Sequence, residues 1–156
     1  MYTRYYIPGD AVVYGTMTND DWDDGYNVTI FGHGTLSGDK LPHPDYSGLP
    51  EGEYWTYRPI HIRGTHGTTV EGVTIANSAF HSVMLVSSYD LERPTQVKWT
   101  KIFTWRANGD GINPFGGTSI EDCFIRTQDD STYANGAGIR RVVYWQVYCT
   151  LYSVLY

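Results

Sequence analysis

Apolar residues recur two apart in short bursts along this chain: Val28 and Ile30, Ile60 and Ile62, Val73 and Ile75, Val83 and Leu85. That period turns one side of an extended segment into a core and leaves the other outside, the pattern of a half-buried β-strand. No segment sustains a helical apolar period with caps at both ends, so almost no helix is expected. Turn dipeptides such as Pro8-Gly9, Asn108-Gly109 and Asn135-Gly136, among 17 glycines, keep the strands short.

Two further runs, Val97 to Arg106 and Ile120 to Thr127, align best at an offset of about 22 residues, which is one coil of a parallel β-solenoid. The expectation is an all-β chain, a parallel β-helix forming one domain over residues 1–156. At this offset Phe103, Ile125 and Val147 form one column, and Trp105, Thr127 and Cys149 form another beside it. Both columns are expected to point inward. Two stretches break the spacing and read as loops: 87–96, and 39–57 with its three prolines and the aromatics Tyr46, Tyr54 and Trp55. The last ten residues, Val147 to Tyr156, read as strand rather than as a polar cap. A piece of a longer protein is therefore expected.

Composition narrows the possible partners. Aromatics make up 15% of the chain, with 14 Tyr and 5 Trp, which supplies material both for a core and for stacking on sugars. The formal charge is −6, and the 11 basic residues are scattered, which argues against a nucleic-acid partner. No apolar stretch near the start resembles a signal peptide or a membrane span, so no membrane partner is expected. The triplet Asn27-Val28-Thr29 fits a glycosylation acceptor, a pattern too common to fix a compartment. Cys123 and Cys149 are out of register with each other, and read either as a disulfide or as two small buried residues.

The chemistry concentrates in two loops that follow the aligned runs. They are Asn108-Gly109-Asp110-Gly111-Ile112 and Gln128-Asp129-Asp130-Ser131. On adjacent coils of a solenoid, strands roughly 4.8 Å apart would bring Asp110, Asp129 and Asp130 into one site. Crowding three carboxylates disfavours ionising them all, so one should hold its proton near neutral pH. The competing reading is that aspartate in such loops only favours turns through its own side-chain hydrogen bonds. A calcium site is the other option for clustered carboxylates, but the nonapeptide repeat of calcium-binding solenoids is absent. No metal or cofactor is expected. The five histidines lack metal-ligand spacing and read mainly as structural. Trp105 reads as core, Trp55, Tyr133 and Trp145 as core or sugar platform, and Arg106 as an outward side chain near Asp110.

These residues resemble glycoside hydrolase family 49, the dextranases and isopullulanases. The resemblance is carried by Gly32-His33-Gly34-Thr35-Leu36-Ser37-Gly38, by Trp105-Arg106-Ala107-Asn108-Gly109-Asp110-Gly111, and by Arg126-Thr127-Gln128-Asp129-Asp130-Ser131 with Tyr133-Ala134-Asn135-Gly136. It runs from about Val28 to Gln146, and its most specific part is the Asp110/Asp129-Asp130 pattern. It implies a right-handed parallel β-helix and a secreted enzyme that hydrolyses an α-glucan with inversion, dextran first and pullulan next. Asp129 would be the acid, with Asp110 and Asp130 positioning water. Arg106, Asn108, Gln128, Tyr133 and Trp145 are the candidate substrate contacts. Family members are much longer, with a β-sandwich before the helix and further coils after it. Two alternatives stand beside this reading. One is a non-catalytic carbohydrate-binding solenoid. The other is a polygalacturonase-like pectin hydrolase, which would place Gly-His-Gly and Arg-Ile-Lys after the paired aspartates, an order not found here.

Overall fold

A computed structural model of the chain describes residues 2–19, 27–42, 57–64, 67–86, 94–133 and 135–145. Short strands follow one another in threes, and each trio is one coil. The first coil holds β1 (Thr3–Ile7), β2 (Val12–Tyr14) and β3 (Met17–Thr18); the second holds β4 (Val28–Gly32), β5 (Thr35–Ser37) and β6 (Ile60–Arg63). The third holds β7 (Thr69–Glu71), β8 (Thr74–Ala76) and β9 (Val83–Val86); the fourth holds β10 (Gln96–Lys98), β11 (Lys101–Phe103) and β12 (Ile112–Pro114). The fifth coil has β13 (Ser119–Glu121) and β14 (Phe124–Arg126), with Thr132 bridging to Ile112, and the sixth has β15 (Gly138–Arg140) and β16 (Val143–Tyr144).

Corresponding strands pair in parallel to form three sheets, ordered β1-β4-β7-β10-β13-β15, β2-β5-β8-β11-β14-β16 and β3-β6-β9-β12. This is a parallel β-helix, as the alternation predicts. No helix among the described residues is long and apolar enough to cross a membrane.

Each sheet sends one row of branched aliphatic side chains inward. Ile30, Val70, Val97 and Ile120 lie on successive rungs of the first sheet, Leu36, Ile75, Ile102 and Ile125 on the second, and Ile60, Val83 and Ile112 on the third. All of these are fully buried. β-Branched side chains suit this position because they are stiff and pack well on a pleated surface. Each contributes roughly 1.5–3 kcal/mol of apolar burial.

The 22-residue register is off by one where it was drawn. Lys101 pairs with Phe124, Ile102 with Ile125 and Phe103 with Arg126, an offset of 23. Strand pairing alternates faces with a period of two, so a slip of one residue exchanges inside for outside. Phe103 is accordingly only half-buried, and Trp105, expected in the core, is 52% exposed, with the Arg126 guanidinium 4.4 Å from its ring centroid. Val147 and Cys149 lie outside the described residues. Coil length also varies, since β11 lies 27 residues beyond β8 while β16 lies 19 beyond β14.

The runs Val97–Arg106 and Ile120–Thr127 are each two strands, not one. Trp99 (φ 52°) and Asp122 (φ 53°) take the left-handed conformation and turn the chain from the first sheet into the second. Of the expected loops, 43–56 and 87–93 lie outside the described residues. Cys123 is a buried free thiol whose Sγ donates to Glu121 O at 3.2 Å.

The two registers predict opposite rankings in urea denaturation. Ile125→Ala should cost about 2–5 kcal/mol. Trp105→Ala should cost no more than about 1 kcal/mol, since its ring lies on the surface. A larger loss for Trp105→Ala would restore the 22-residue register.

Candidate active site

The ladder that stacks the coils continues into the loops between the second and third sheets. Ser82 N–H donates to Asp110 O at 2.8 Å, Val83 N–H to Gly111 O at 3.0 Å, Gly111 N–H to Asp130 O at 2.8 Å, and Ile112 N–H to Ser131 O at 3.0 Å. Loops from the third, fourth and fifth coils thus lie side by side, and His81, Asp110 and Asp130 occupy adjacent rungs. Glycine is required where the loops touch, because a Cβ on Gly111 would collide with Ser131 O, and one on Gly109 with the Thr104 hydroxyl. This accounts for the Gly-Asp-Gly sequence around Asp110.

Asp110 is 2% exposed. Its Oδ2 accepts a 2.6 Å hydrogen bond from the Tyr133 hydroxyl and lies 3.3 Å from His81 Nε2. Burial pushes its pKa up to about 7; the Tyr133 hydrogen bond opposes this, and the charges of Asp129 and Asp130 reinforce it. Both neighbouring carboxylates are therefore close enough to be felt at Asp110. The expected proton-holding carboxyl exists, but it is Asp110, and burial rather than crowding is the larger cause.

Asp129 and Asp130 are half-buried. Asp129 is held across the coils, its Oδ2 accepting from Asn108 N–H at 3.2 Å and its Oδ1 from Asp130 N–H at 3.0 Å. Thr127 braces the same loop from inside, donating to Asp129 O at 2.7 Å and sharing a 2.9 Å hydrogen bond with Ser131 Oγ. Asn108 sits in the left-handed region at φ 54°, which Asn tolerates better than most residues. Gln128 is half-buried in the Asp129 loop.

Two candidate substrate contacts fall elsewhere. Arg106 does not reach toward Asp110; its guanidinium donates to the carbonyls of Leu41 (2.9 Å), Asp39 (3.2 Å) and Gly38 (3.4 Å), tying the fourth coil to the turn after β5. Trp145 is 65% exposed and packs edge-on against Phe124 on the outer face of the second sheet. Tyr133 does lie at the site, but as a partner of Asp110.

Histidines are the part that sequence reasoning missed. His81 stacks on Phe80 at 4.0 Å between centroids and on Tyr133 at 6.3 Å. Burial, then the nearby Arg58 charge, pushes its pKa down to about 4. His61, also buried, falls to about 3 for the same two leading reasons. Both are therefore neutral near pH 7, and the 3.3 Å His81–Asp110 contact joins two neutral groups over the interval from about 4 to about 7 rather than an ion pair. The available signal was spacing: His81 lies two residues before Val83, as Asp110 lies two before Ile112, its partner in the sheet. Among the described residues no group of three or more His, Cys, Asp and Glu is arranged to hold a metal.

The fold and this carboxylate cluster define a parallel β-helix with a candidate acid–base site on one corner. A solved structure, Dex49A from Penicillium minioluteum, superposes with a TM-score of 0.68 at 20% sequence identity. The likeness covers 92% of this chain and 26% of that one, so the chain spans about a quarter of its neighbour's length. At that identity the likeness speaks for the fold. No protein-family profile matches the chain, and no curated protein matches it.

The pH dependence of stability follows from these shifts. An Asp110 pKa raised in the folded state adds stability that is fully present below the unfolded value of about 3.9 and lost as pH rises through about 7. Asp110→Asn should therefore gain on the parent chain between pH 4 and 8, by up to ~4 kcal/mol, in urea melts across that range. His61 and His81 act in the opposite sense, their lowered pKa values removing stability as pH falls below about 6.5. An Asp110→Asn chain that gains nothing on the parent between pH 4 and 8 would contradict the Asp110 assignment, since both chains carry the same histidines.

Proposed function

We propose that the chain carries the catalytic centre of a secreted, endo-acting α-glucan hydrolase that cleaves with inversion, dextran being the first candidate substrate and pullulan the second. The observation that carries this reading is the meeting of Asp110, Asp129 and Asp130 from adjacent coils, with Asp110 tuned to exchange a proton near neutrality. The shared fold supports it, since Dex49A bears the name of a family 49 dextranase. So does the resemblance carried by the two aspartate loops.

In an inverting reaction one carboxylic acid protonates the departing glycosidic oxygen, while a carboxylate takes a proton from the attacking water on the opposite face. The resemblance gives the acid role to Asp129. Asp110, with a pKa of about 7, suits the group that receives the proton from water, and Asp130 suits the group that holds that water beside it. The C1–O bond to the leaving sugar breaks as the C1–O bond to water forms, and the two proton transfers balance. Asn108 acts through its backbone N–H, which fixes Asp129. Gln128, in the Asp129 loop, is left as a direct contact to sugar hydroxyls. One feature favours the alternative of a carbohydrate-binding solenoid without catalysis: at 2% exposed, Asp110 is shielded where a base must meet water.

Reducing-sugar release from dextran and pullulan separates the two readings. Asp129→Asn and Asp110→Asn should each lower the rate by roughly 10²–10⁴-fold, and a folded parent chain that releases no reducing ends from either polymer would leave the binding reading. In the pH profile, Tyr133→Phe removes a hydrogen bond that favours ionised Asp110. Its acidic limb should move to higher pH; an unmoved limb would remove Asp110 from the base role.

A further inference from the structure

Away from the carboxylates, the bend between the first and second sheets holds a groove of about 880 Å³. It crosses every coil, drawing Tyr6 from the first, Phe31 from the second, Gly72 from the third, Trp99 from the fourth, Phe124 from the fifth and Val143 from the sixth. With rungs roughly 4.8 Å apart, the crossing is roughly 24 Å long. Asp110, Asp129 and Asp130 take no part in its lining.

Trp99 is the informative residue. The chain turns through the left-handed region at this bend in successive coils, at Gly32, Gly72, Asp122 and Arg141 as well as at Trp99. Glycine takes that conformation freely and Asp or Asn tolerates it, whereas a bulky side chain is strained there. Core packing does not offset the strain, because the Trp99 side chain is 54% exposed, with the Lys98 ammonium 4.9 Å from its ring centroid. Tyr6, 62% exposed, lies 5.2 Å from Phe31 at the other end of the groove.

The charges in the groove cancel. Its two carboxylates, Glu71 and Asp122, are matched by Lys101 and Arg141. They are also held by close partners, Glu71 by Lys98 at 3.1 Å and Asp122 by Arg141 at 2.6 Å. Wet aromatic rings ranged across stacked coils, with no net charge between them, suit a neutral polyhydroxyl chain whose C–H faces stack on rings. An acidic polymer would find no excess positive charge in this lining to bind it.

We propose that this groove binds a neutral α-glucan laid across the coils, with Trp99 as its main stacking platform, as a holding site separate from the carboxylates. The choice of polymer rests on the catalytic reading above. The test is native electrophoresis of the chain through gels containing dextran or pullulan, in an Asp129→Asn background so that the gel is not digested. Trp99→Asn removes the ring and installs a residue suited to the left-handed bend, so the fold is not put at risk. At least one polymer should retard the chain, and Trp99→Asn should weaken that binding by roughly fivefold. With Asp129 restored, Trp99→Asn should still hydrolyse short isomalto-oligosaccharides at the parent rate.

Retardation that Trp99→Asn leaves unchanged, or no retardation by either polymer, would overturn the proposal. Trp99-dependent self-association in sedimentation without glucan binding would overturn it too, and would assign the groove to a second copy of the chain. The two readings fail separately: Trp99-dependent retardation of a chain that releases no reducing ends would keep the groove and remove the catalysis. Hydrolysis without retardation would do the reverse.

Discussion

Coil-to-coil backbone hydrogen bonding sets the terms for every other feature of this molecule. A parallel ladder repeats at roughly 4.8 Å, and whatever stands on one rung must tolerate its neighbour at that spacing. Inside, this selects stacks of Ile, Val and Leu, all fully buried. Outside, the ladder does not stop where the strands end, because Asp110 and Asp130 carbonyls still accept from the coils before them. Loop residues are therefore placed with strand-like accuracy, and glycine appears where two loops come closest, at Gly111. The site's geometry is inherited from the sheet rather than from the loops themselves.

Placing a carboxyl within that wall instead of on its rim has an electrostatic consequence. An isolated buried carboxylate is costly, and the cost can be reduced by hydrogen bonds or by taking up a proton. Asp110 uses both: Tyr133 donates to it, yet burial still holds its pKa near 7. His61 and His81 answer the same burial by staying neutral. Asp110, His61 and His81 are thus kept uncharged by burial just below pH 7, and of these Asp110 changes state near physiological pH. Tyr133 is itself driven to hold its proton, first by burial and then by the carboxylates it faces, which keeps it a donor.

Much of this was legible in the sequence, and the failures have a common origin. The pairs Val28/Ile30, Ile60/Ile62 and Val83/Leu85 announced half-buried strands, and the spacing of Asp110 and Asp129 announced adjacent coils. What alternation cannot fix is absolute register, since offsets of 22 and 23 both align apolar runs but face them oppositely. The left-handed residues at Trp99 and Asp122 hid the bend within what read as continuous strands, because neither is the glycine that usually marks such a turn. His81 escaped notice because the third and fourth coils differ in length, with Val83 pairing to Ile112 across 29 residues. A fixed period could not carry the reader from one loop to the next.

Arg106 illustrates how the same residue type can serve construction instead of recognition. An outward guanidinium beside a carboxylate loop is a reasonable sugar contact, but three backbone carbonyls of the turn after β5 converge on it. Such carbonyls have no strand partner, and a planar fork of donors is well suited to collecting them. Arg106 also lies in the chain between β11 and Asp110, so the bonds that close the turn after β5 fix the path into the aspartate loop. Asn108 then commits its N–H to Asp129 and Tyr133 its hydroxyl to Asp110. Of three residues that the sequence offers as contacts for a sugar, two hold the carboxylates and Arg106 holds the turn that leads to them. On the proposed reading, direct recognition of a polymer would rest largely on surfaces outside this cluster, and the wet aromatic rings along the bend offer one.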